Sequence, residues 1–294
     1  MHPPVALLLH PVARIGWSEF TVHPSTVIGL VALGALYHWR ALGAPGAEVR
    51  ALRSAQGDKT SPTFRQRLCF FSALALIFFS LNGWLHDLSD TYLFSAHMVQ
   101  HLVLTLVVPP MLIMATPGWM LRPTLDWKVV GPAARWLTKP TRCFLIFSFV
   151  LAIWHLPPMY EFAMQHHNVH ITQHLCFMVA ATLMWWPVLS PLPELPRLSY
   201  PLQMLYLFLL TLPMSLIAIC IGYSDHILYP AYSSAPRIWS ISPMQDQLLG
   251  ALIMWVPGGL FFFAIISVVF FRWQAQGGED HQAGAQVDWV VARR

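Results

Sequence analysis

Residues 94–115 read FSAHMVQHLVLTLVVPPMLIMA and give the clearest indication of the fold class of this chain. These 22 residues include no Asp, Glu, Lys or Arg, and a helix of about 20 apolar residues is long enough to cross a bilayer. A helix satisfies its own backbone hydrogen bonds, so it can lie in lipid where no water is available. The stretch therefore predicts a transmembrane helix, with two histidines near its beginning.

The composition of the whole chain agrees with this. Hydrophobic residues make up 56% of the 294 positions and charged residues only 10%, against about 25% charged in ordinary soluble domains. Such a chain cannot cover a water-facing surface with polar groups, which excludes a soluble globular enzyme. The four cysteines form no C-x-x-C pair, so neither a zinc ribbon nor a disulfide framework is indicated. We therefore expect an all-α polytopic membrane protein.

Six further apolar stretches of similar length predict seven transmembrane helices in total. The predicted spans are residues 24–42, 65–85, 94–115, 142–160, 169–189, 201–222 and 246–271. They make up a transmembrane domain of residues 24–272. Residues 1–23 precede it as a periplasmic segment, and residues 273–294 follow it as a loose, polar cytoplasmic tail.

The positive charges predict the orientation of these helices. Fifteen of the 17 Lys and Arg residues lie in the loops after spans 1, 3 and 5, at the span ends that flank these loops, or at the C-terminal end of the chain, and the other two are Arg14 and Arg237. Cytoplasmic loops of membrane proteins carry an excess of Lys and Arg, so the N-terminus is predicted outside and the C-terminus in the cytoplasm. The net charge of +4 then reflects cytoplasmic loops and predicts no nucleic-acid partner.

Most histidines fall at the predicted outer ends of the spans. Two motifs repeat there, His97-Met-Val-Gln-His101-Leu in span 3 and His170-Ile-Thr-Gln-His174-Leu in span 5. Residues four apart lie on one face of a helix, so each motif directs two imidazoles the same way. If the two helices face each other, up to four imidazoles surround one small volume.

Buried ionisable groups inside a membrane usually mark a functional site, and imidazole is a ligand for copper, zinc, iron and nickel. Methionine thioethers at the same level favour Cu(I). The predicted metal ligands are His97, His101, His170, His174, His155, His86 and Asp246. Asp246 has two other interpretations: it orients a ligating histidine, or it caps a helix. The histidines also have a second interpretation, a hydrogen-bonded scaffold without metal.

These motifs resemble a known family. The His97–His101 motif running into Pro109-Pro110 is similar to the signature of CtaG-like cytochrome c oxidase assembly factors. Further matching motifs are Trp154-His155 with Pro158, His170-x-x-x-His174 with Trp185-Trp186-Pro187, Tyr229-Pro230-x-Tyr232, and Asp246-Gln247-x-x-Gly250 with Met254-Trp255. The resemblance covers residues 24–272 and implies a seven-span protein of the bacterial inner membrane that takes part in the maturation of haem–copper oxidases. Relatives fused to copper-import domains imply copper handling.

The sequence and the resemblance together predict a non-enzymatic assembly factor. It binds copper at the outer histidine cluster and delivers it to a cytochrome c oxidase subunit. Two alternatives are a b-type haem protein, with one axial histidine from each of spans 3 and 5, and a copper permease. A membrane di-iron enzyme also carries several histidine boxes, but those boxes generally face the cytoplasm whereas these are predicted to face outward.

Overall fold

The computed structural model describes residues 20–42 and 61–291, and within these ranges the chain is helical and contains no strand. The all-α prediction is therefore confirmed for the described residues. The α-helices are α1 Pro24–Leu42, α2 Phe64–Ser80, α3 Gly83–Asp87, α4 Phe94–Leu102, α5 Val108–Ala115, α6 Gly118–Leu121, α7 Val130–Leu137, α8 Pro140–His155, α9 Pro157–Gln165, α10 His167–Leu189, α11 Tyr200–Gly222, α12 Pro230–Ser233 and α13 Pro243–Val291.

Four continuous helical stretches are long and apolar enough to cross a membrane: Phe94–Ala115, His167–Leu189, Tyr200–Gly222 and Pro243–Gly277. Two bent helix pairs raise the number to six if each pair is one span. Helix α1 coincides with the first predicted span, although it is not among these six. The chain is therefore a multi-pass helical protein by the length and composition of its helices.

The second predicted span is broken rather than continuous. Helix α2 ends at Ser80, and α3 begins at Gly83 after a bend of 48°. Gly83 has φ of +68°, a left-handed conformation that glycine adopts without steric cost, and its N–H donates to Thr21 O at 2.8 Å. A π-helical turn, Leu88–Tyr92, follows α3 and leads directly into α4. The break turns this segment toward the beginning of α4.

Prolines shape two other spans. Pro109 has no N–H to donate to the carbonyl of Thr105, and the turn Val103–Val107 is π-helical. The freed Thr105 carbonyl accepts a hydrogen bond from Trp185 Nε1 at 3.0 Å, which ties α10 to this turn. Pro157-Pro158 interrupts the predicted span 142–160, because α8 stops at His155 and α9 starts at Pro157.

The last helix is longer than predicted. Helix α13 runs from Pro243 to Val291 and passes through Pro257 without ending. The helical backbone continues past residue 272, where the prediction places a loose cytoplasmic tail, and residues 273–291 contain no proline that would interrupt it. Residues 1–19 of the predicted N-terminal segment, and most of the basic loop after span 1, lie outside the described residues.

Close packing of α13 on α4 positions the site described below. Gly250 is the contact point: a Cβ atom there would collide with the Phe94 ring. Only glycine allows the two helices to come this close. The largest hydrophobic core lies around this contact and extends along α4, α8, α10, α11 and α13.

Candidate metal centre

The two histidine motifs face each other, which is the condition that the sequence analysis set for a shared cluster of four imidazoles. Within α4 the ring centroids of His97 and His101 lie 4.2 Å apart, and within α10 those of His170 and His174 lie 4.5 Å apart. Across the two helices, His97 lies 5.6 Å from His170, and His101 lies 5.4 Å from His174. All four side chains are buried. Four imidazoles thus share one small volume between the beginnings of α4 and α10.

A carboxylate that the sequence analysis missed completes this group. Asp90, in the π-helical turn after α3, has its carboxylate 3.5 Å from His170 Nε2 and 4.0 Å from His97 Nδ1. Asp90, His97 and His170 each offer one ligand atom, and these atoms lie within 4.8 Å of one another. The sequence did hold a signal, because Asp90 follows His86 by four residues, the spacing of both histidine pairs.

His86 lies beside Asp90 and is held there by a glutamine. Gln100 Nε2 lies within hydrogen-bond distance of both the Ser80 carbonyl and His86 Nδ1. Because the Ser80 carbonyl can only accept, this end of the Gln100 side chain is the amide nitrogen, and His86 Nδ1 accepts from it. His86 then carries its proton on Nε2, 3.4 Å from the Asp90 carboxylate. In this arrangement His86 orients Asp90.

His155, the last residue of α8, reaches the opposite end of the cluster. Its Nδ1 lies 2.7 Å from the carbonyl of Leu151, which can only accept, so Nδ1 carries the proton. Nε2 therefore keeps a lone pair, and it has no hydrogen-bond partner among the described residues. The ring centroid of His155 lies 6.2 Å from that of His101. His155 thus presents an acceptor nitrogen next to the four central imidazoles.

Asp246, at the beginning of α13, caps a neighbouring helix. Its carboxylate accepts hydrogen bonds from the backbone N–H groups of Phe94 at 2.7 Å and Ser95 at 3.1 Å, and from Ser95 Oγ at 2.5 Å. These are free N–H groups of the first turn of α4, where a negative charge is favourable. Of the interpretations left open by the sequence, helix capping matches these contacts, although the capped helix is α4 rather than α13.

The central imidazoles have nitrogen atoms without hydrogen-bond partners. Among the described residues, this holds for both ring nitrogens of His97 and of His101, and for Nδ1 of His174. A buried polar atom without a partner costs about 1–3 kcal/mol, so several in one place require an explanation. A metal ion supplies one, because it accepts the imidazole lone pairs. The donor set of imidazoles and one carboxylate fits a borderline transition-metal ion.

Three tyrosines close the cluster on the side of the loop between α11 and α13. Tyr229 Oη donates to the carbonyl of His155 at 2.9 Å, and Tyr232 Oη donates to the carbonyl of Ser89 at 2.7 Å. The single hydroxyl hydrogen of Tyr232 is used in its bond to Ser89, so Tyr160 must be the donor in the 2.8 Å contact between the two hydroxyls. These bonds attach the loop to both ends of the cluster and shield it from the surface.

Other candidate ligands lie further from this group or are engaged elsewhere. His166 and His226 are exposed in the connecting segments, and His167 is exposed at the start of α10. The Met164 sulfur contacts Tyr232 Oη at 4.0 Å, and Met98 packs toward Gly250. All four cysteines are free thiols.

Comparison with known proteins gives one family match. The family model described as "Cytochrome c oxidase caa3 assembly factor (Caa3_CtaG)" matches residues 46–276. An uncharacterized protein of Mycobacterium leprae is 22% identical over 256 residues, which cover 81% of this chain and 38% of that protein. Uncharacterized proteins of Mycobacterium bovis and Mycobacterium tuberculosis are each 24% identical over 200 residues, covering 63% of this chain and 30% of theirs. The chain therefore spans less than half the length of these relatives. No solved structure matches significantly.

Proposed function

The chain belongs to the Caa3_CtaG family of cytochrome c oxidase caa3 assembly factors, and we propose that it binds copper at the histidine–aspartate cluster and delivers it to an oxidase subunit. In this proposal copper is the substrate that the protein carries to the oxidase. The protein acts as a carrier and partner of the oxidase rather than as a catalyst.

One observation carries the proposal. Asp90, His97 and His170 bring three ligand atoms within 4.8 Å of one another in a fully buried setting, beside His101 and His174. A scaffold role alone would leave the buried nitrogens of His97 and His101 without partners, at a cost of about 1–3 kcal/mol each. Metal binding replaces the missing hydrogen bond by a ligand bond at one nitrogen of each ring. Since haem–copper oxidases require copper, copper is the substrate that fits both the cluster and the family.

The proposed topology places the cluster on the side from which copper arrives. We propose seven spans in the bacterial inner membrane, with α1 as the first and the N-terminus outside, since the Lys and Arg residues concentrate in the opposite loops. The beginnings of α4 and α10 then lie in the outer half of the membrane. Copper from the periplasm would reach the cluster without crossing the bilayer.

Delivery is favoured over permeation by the distribution of ligands. A permease needs further ligand groups along its path toward the cytoplasm. Among the described residues, the group of Asp90, His97 and His170 is the single set of three or more His, Cys, Asp or Glu side chains close enough to hold one ion. A carrier that loads and unloads on one side needs no second group.

Metal analysis of the purified, detergent-solubilised protein tests this proposal. Protein from copper- and iron-replete cells should contain near-stoichiometric copper, and His97→Ala with His170→Ala should remove it. His226→Ala, which changes an exposed histidine, is the matched control and should keep the copper. In cells, the cluster variant should lower the copper content and activity of the oxidase, while the control should not.

Two outcomes would contradict the proposal. Iron in place of copper, with a Soret band that shifts on reduction, would favour the b-type haem alternative. A wild-type protein without metal, whose cluster variant still supports oxidase maturation, would favour a hydrogen-bonded scaffold. Size-exclusion profiles of all variants distinguish loss of ligand from loss of fold.

A further inference from the structure

A cavity of about 610 Å³ lies beside the cluster, among α1, α2 and α10. Most of its wall is apolar. Its ionisable side chains are five histidines and one aspartate: His23, His86, Asp90, His167, His170 and His174. No Lys or Arg contributes to its wall among the residues that the structure describes. A cation in this cavity meets one carboxylate and no positive side chain.

An ion can reach the cluster through this cavity. Asp90, His170 and His174 line it, whereas His97 and His101 do not. His97 is 0% exposed, so an ion has to pass other groups before it reaches this ring. The histidines further from His97 are less buried: His23 is half-buried and His167 is exposed. The order from the surface inward is therefore His167, His23, and then the cluster.

The spacing of these rings suits a shared ion. The ring centroids of His23 and His167 lie 6.0 Å apart, with ring planes 34° from parallel. Bonds of about 2.0–2.1 Å from an ion to each of two imidazoles place the two nitrogens about 4 Å apart, which rings at this separation allow. His23 lies 4.6 Å from His86, and His86 lies 6.3 Å from His170, again between ring centroids.

We propose that His23 and His167 form an outer capture site, which takes up the copper cation first and passes it alongside His86 to Asp90 and His170. The inference rests on the proposed copper function and adds the route of loading. Two imidazoles bind a cation more weakly than the buried group of histidines and a carboxylate, so the ion moves inward. The capture site thereby determines the rate at which copper enters the protein. It does not change the amount of copper that is finally bound.

Stopped-flow measurement of copper uptake tests the capture site. The purified protein is mixed with the coloured Cu(I)–bicinchoninate complex, and loss of colour reports transfer. The double variant His23→Ala/His167→Ala should load at least about tenfold more slowly than wild type while reaching the same final copper per chain. The single variants should give intermediate rates. His226→Ala, an exposed histidine outside the cavity, is the control and should load at the wild-type rate.

The outcomes separate this inference from the proposed function. A double variant that loads at the wild-type rate would overturn the capture site and leave the copper function intact. A double variant that stays folded but binds less copper would also overturn it, since these residues would then belong to the final site. Wild-type protein that takes no copper from the complex would overturn both proposals. Equal final stoichiometry with slow loading supports the capture site and also shows that the variant is folded.

Discussion

Replacing Asp246 by asparagine should destabilise the protein without removing a metal ligand. The side chain is 0% exposed, and its carboxylate accepts three hydrogen bonds from Phe94 and Ser95. Asparagine has nearly the same volume, but it keeps one acceptor oxygen and turns an NH₂ group toward backbone N–H donors. The change therefore acts on hydrogen bonding and charge rather than on packing.

The magnitude follows from these contacts. Loss of a hydrogen bond to a charged group costs about 1.5–3 kcal/mol. Loss of the negative charge at the beginning of α4 adds about 0.3–1 kcal/mol, and up to about 2 kcal/mol in a partly buried geometry. The free energy of unfolding should therefore fall by about 2–4 kcal/mol. Since His97 lies one turn further along α4, copper should bind more weakly, but the copper content at saturation should not change.

Unfolding in mixed detergent micelles with increasing SDS measures the stability change, and elemental analysis at saturating copper measures the content. Asp225→Asn makes the same chemical change at an exposed position and serves as the control. The double variant Ser95→Ala/Asp246→Asn should be less destabilised than the sum of the single changes, because both remove the same hydrogen bond. Wild-type stability combined with a loss of copper at saturation would refute the capping role and restore Asp246 as a ligand.

Two further predictions concern the packing around the site. Gly250→Ala should destabilise the protein by about 1–3 kcal/mol in the same SDS titration, because its new Cβ would collide with the Phe94 ring, whereas Gly259→Ala, with no atom within 4 Å, should be nearly neutral. Equal effects would show that α4 and α13 are not in close contact. Trp185→Phe should cost about 1–3 kcal/mol, since the buried Thr105 carbonyl loses its donor; a neutral result would show that another donor replaces it.

The placement of each histidine pair on one face of its helix could be predicted from sequence, because the spacing of the residues carries that information. Residues four apart share a helix face whatever surrounds the helix. A face with two imidazoles is costly against lipid, so it turns toward other polar groups.

The place of Asp90 in the cluster and the helix that Asp246 caps could not be predicted from the sequence, for a shared reason. Each acts across the fold: Asp90 contacts His170, 80 residues away, and Asp246 caps Phe94, 152 residues away. Periodicity describes which residues share a face of one helix, but it does not say which helix ends meet. The break at Gly83, which brings Asp90 to the cluster, also depends on a backbone contact with Thr21 that no local pattern indicates.

The amino-acid sequence was sufficient to predict that this protein is helical and hydrophobic, and that two histidine pairs share helix faces. These properties depend on residue type and on the fixed geometry of a helix, which act over a few residues. The packing of the helices was needed to establish which carboxylate lies beside the imidazoles, which one caps α4, and that a cavity lies beside the cluster. Those features depend on the three-dimensional packing of segments distant in the chain, where single contacts such as Gly250 against Phe94 set the distance between helices.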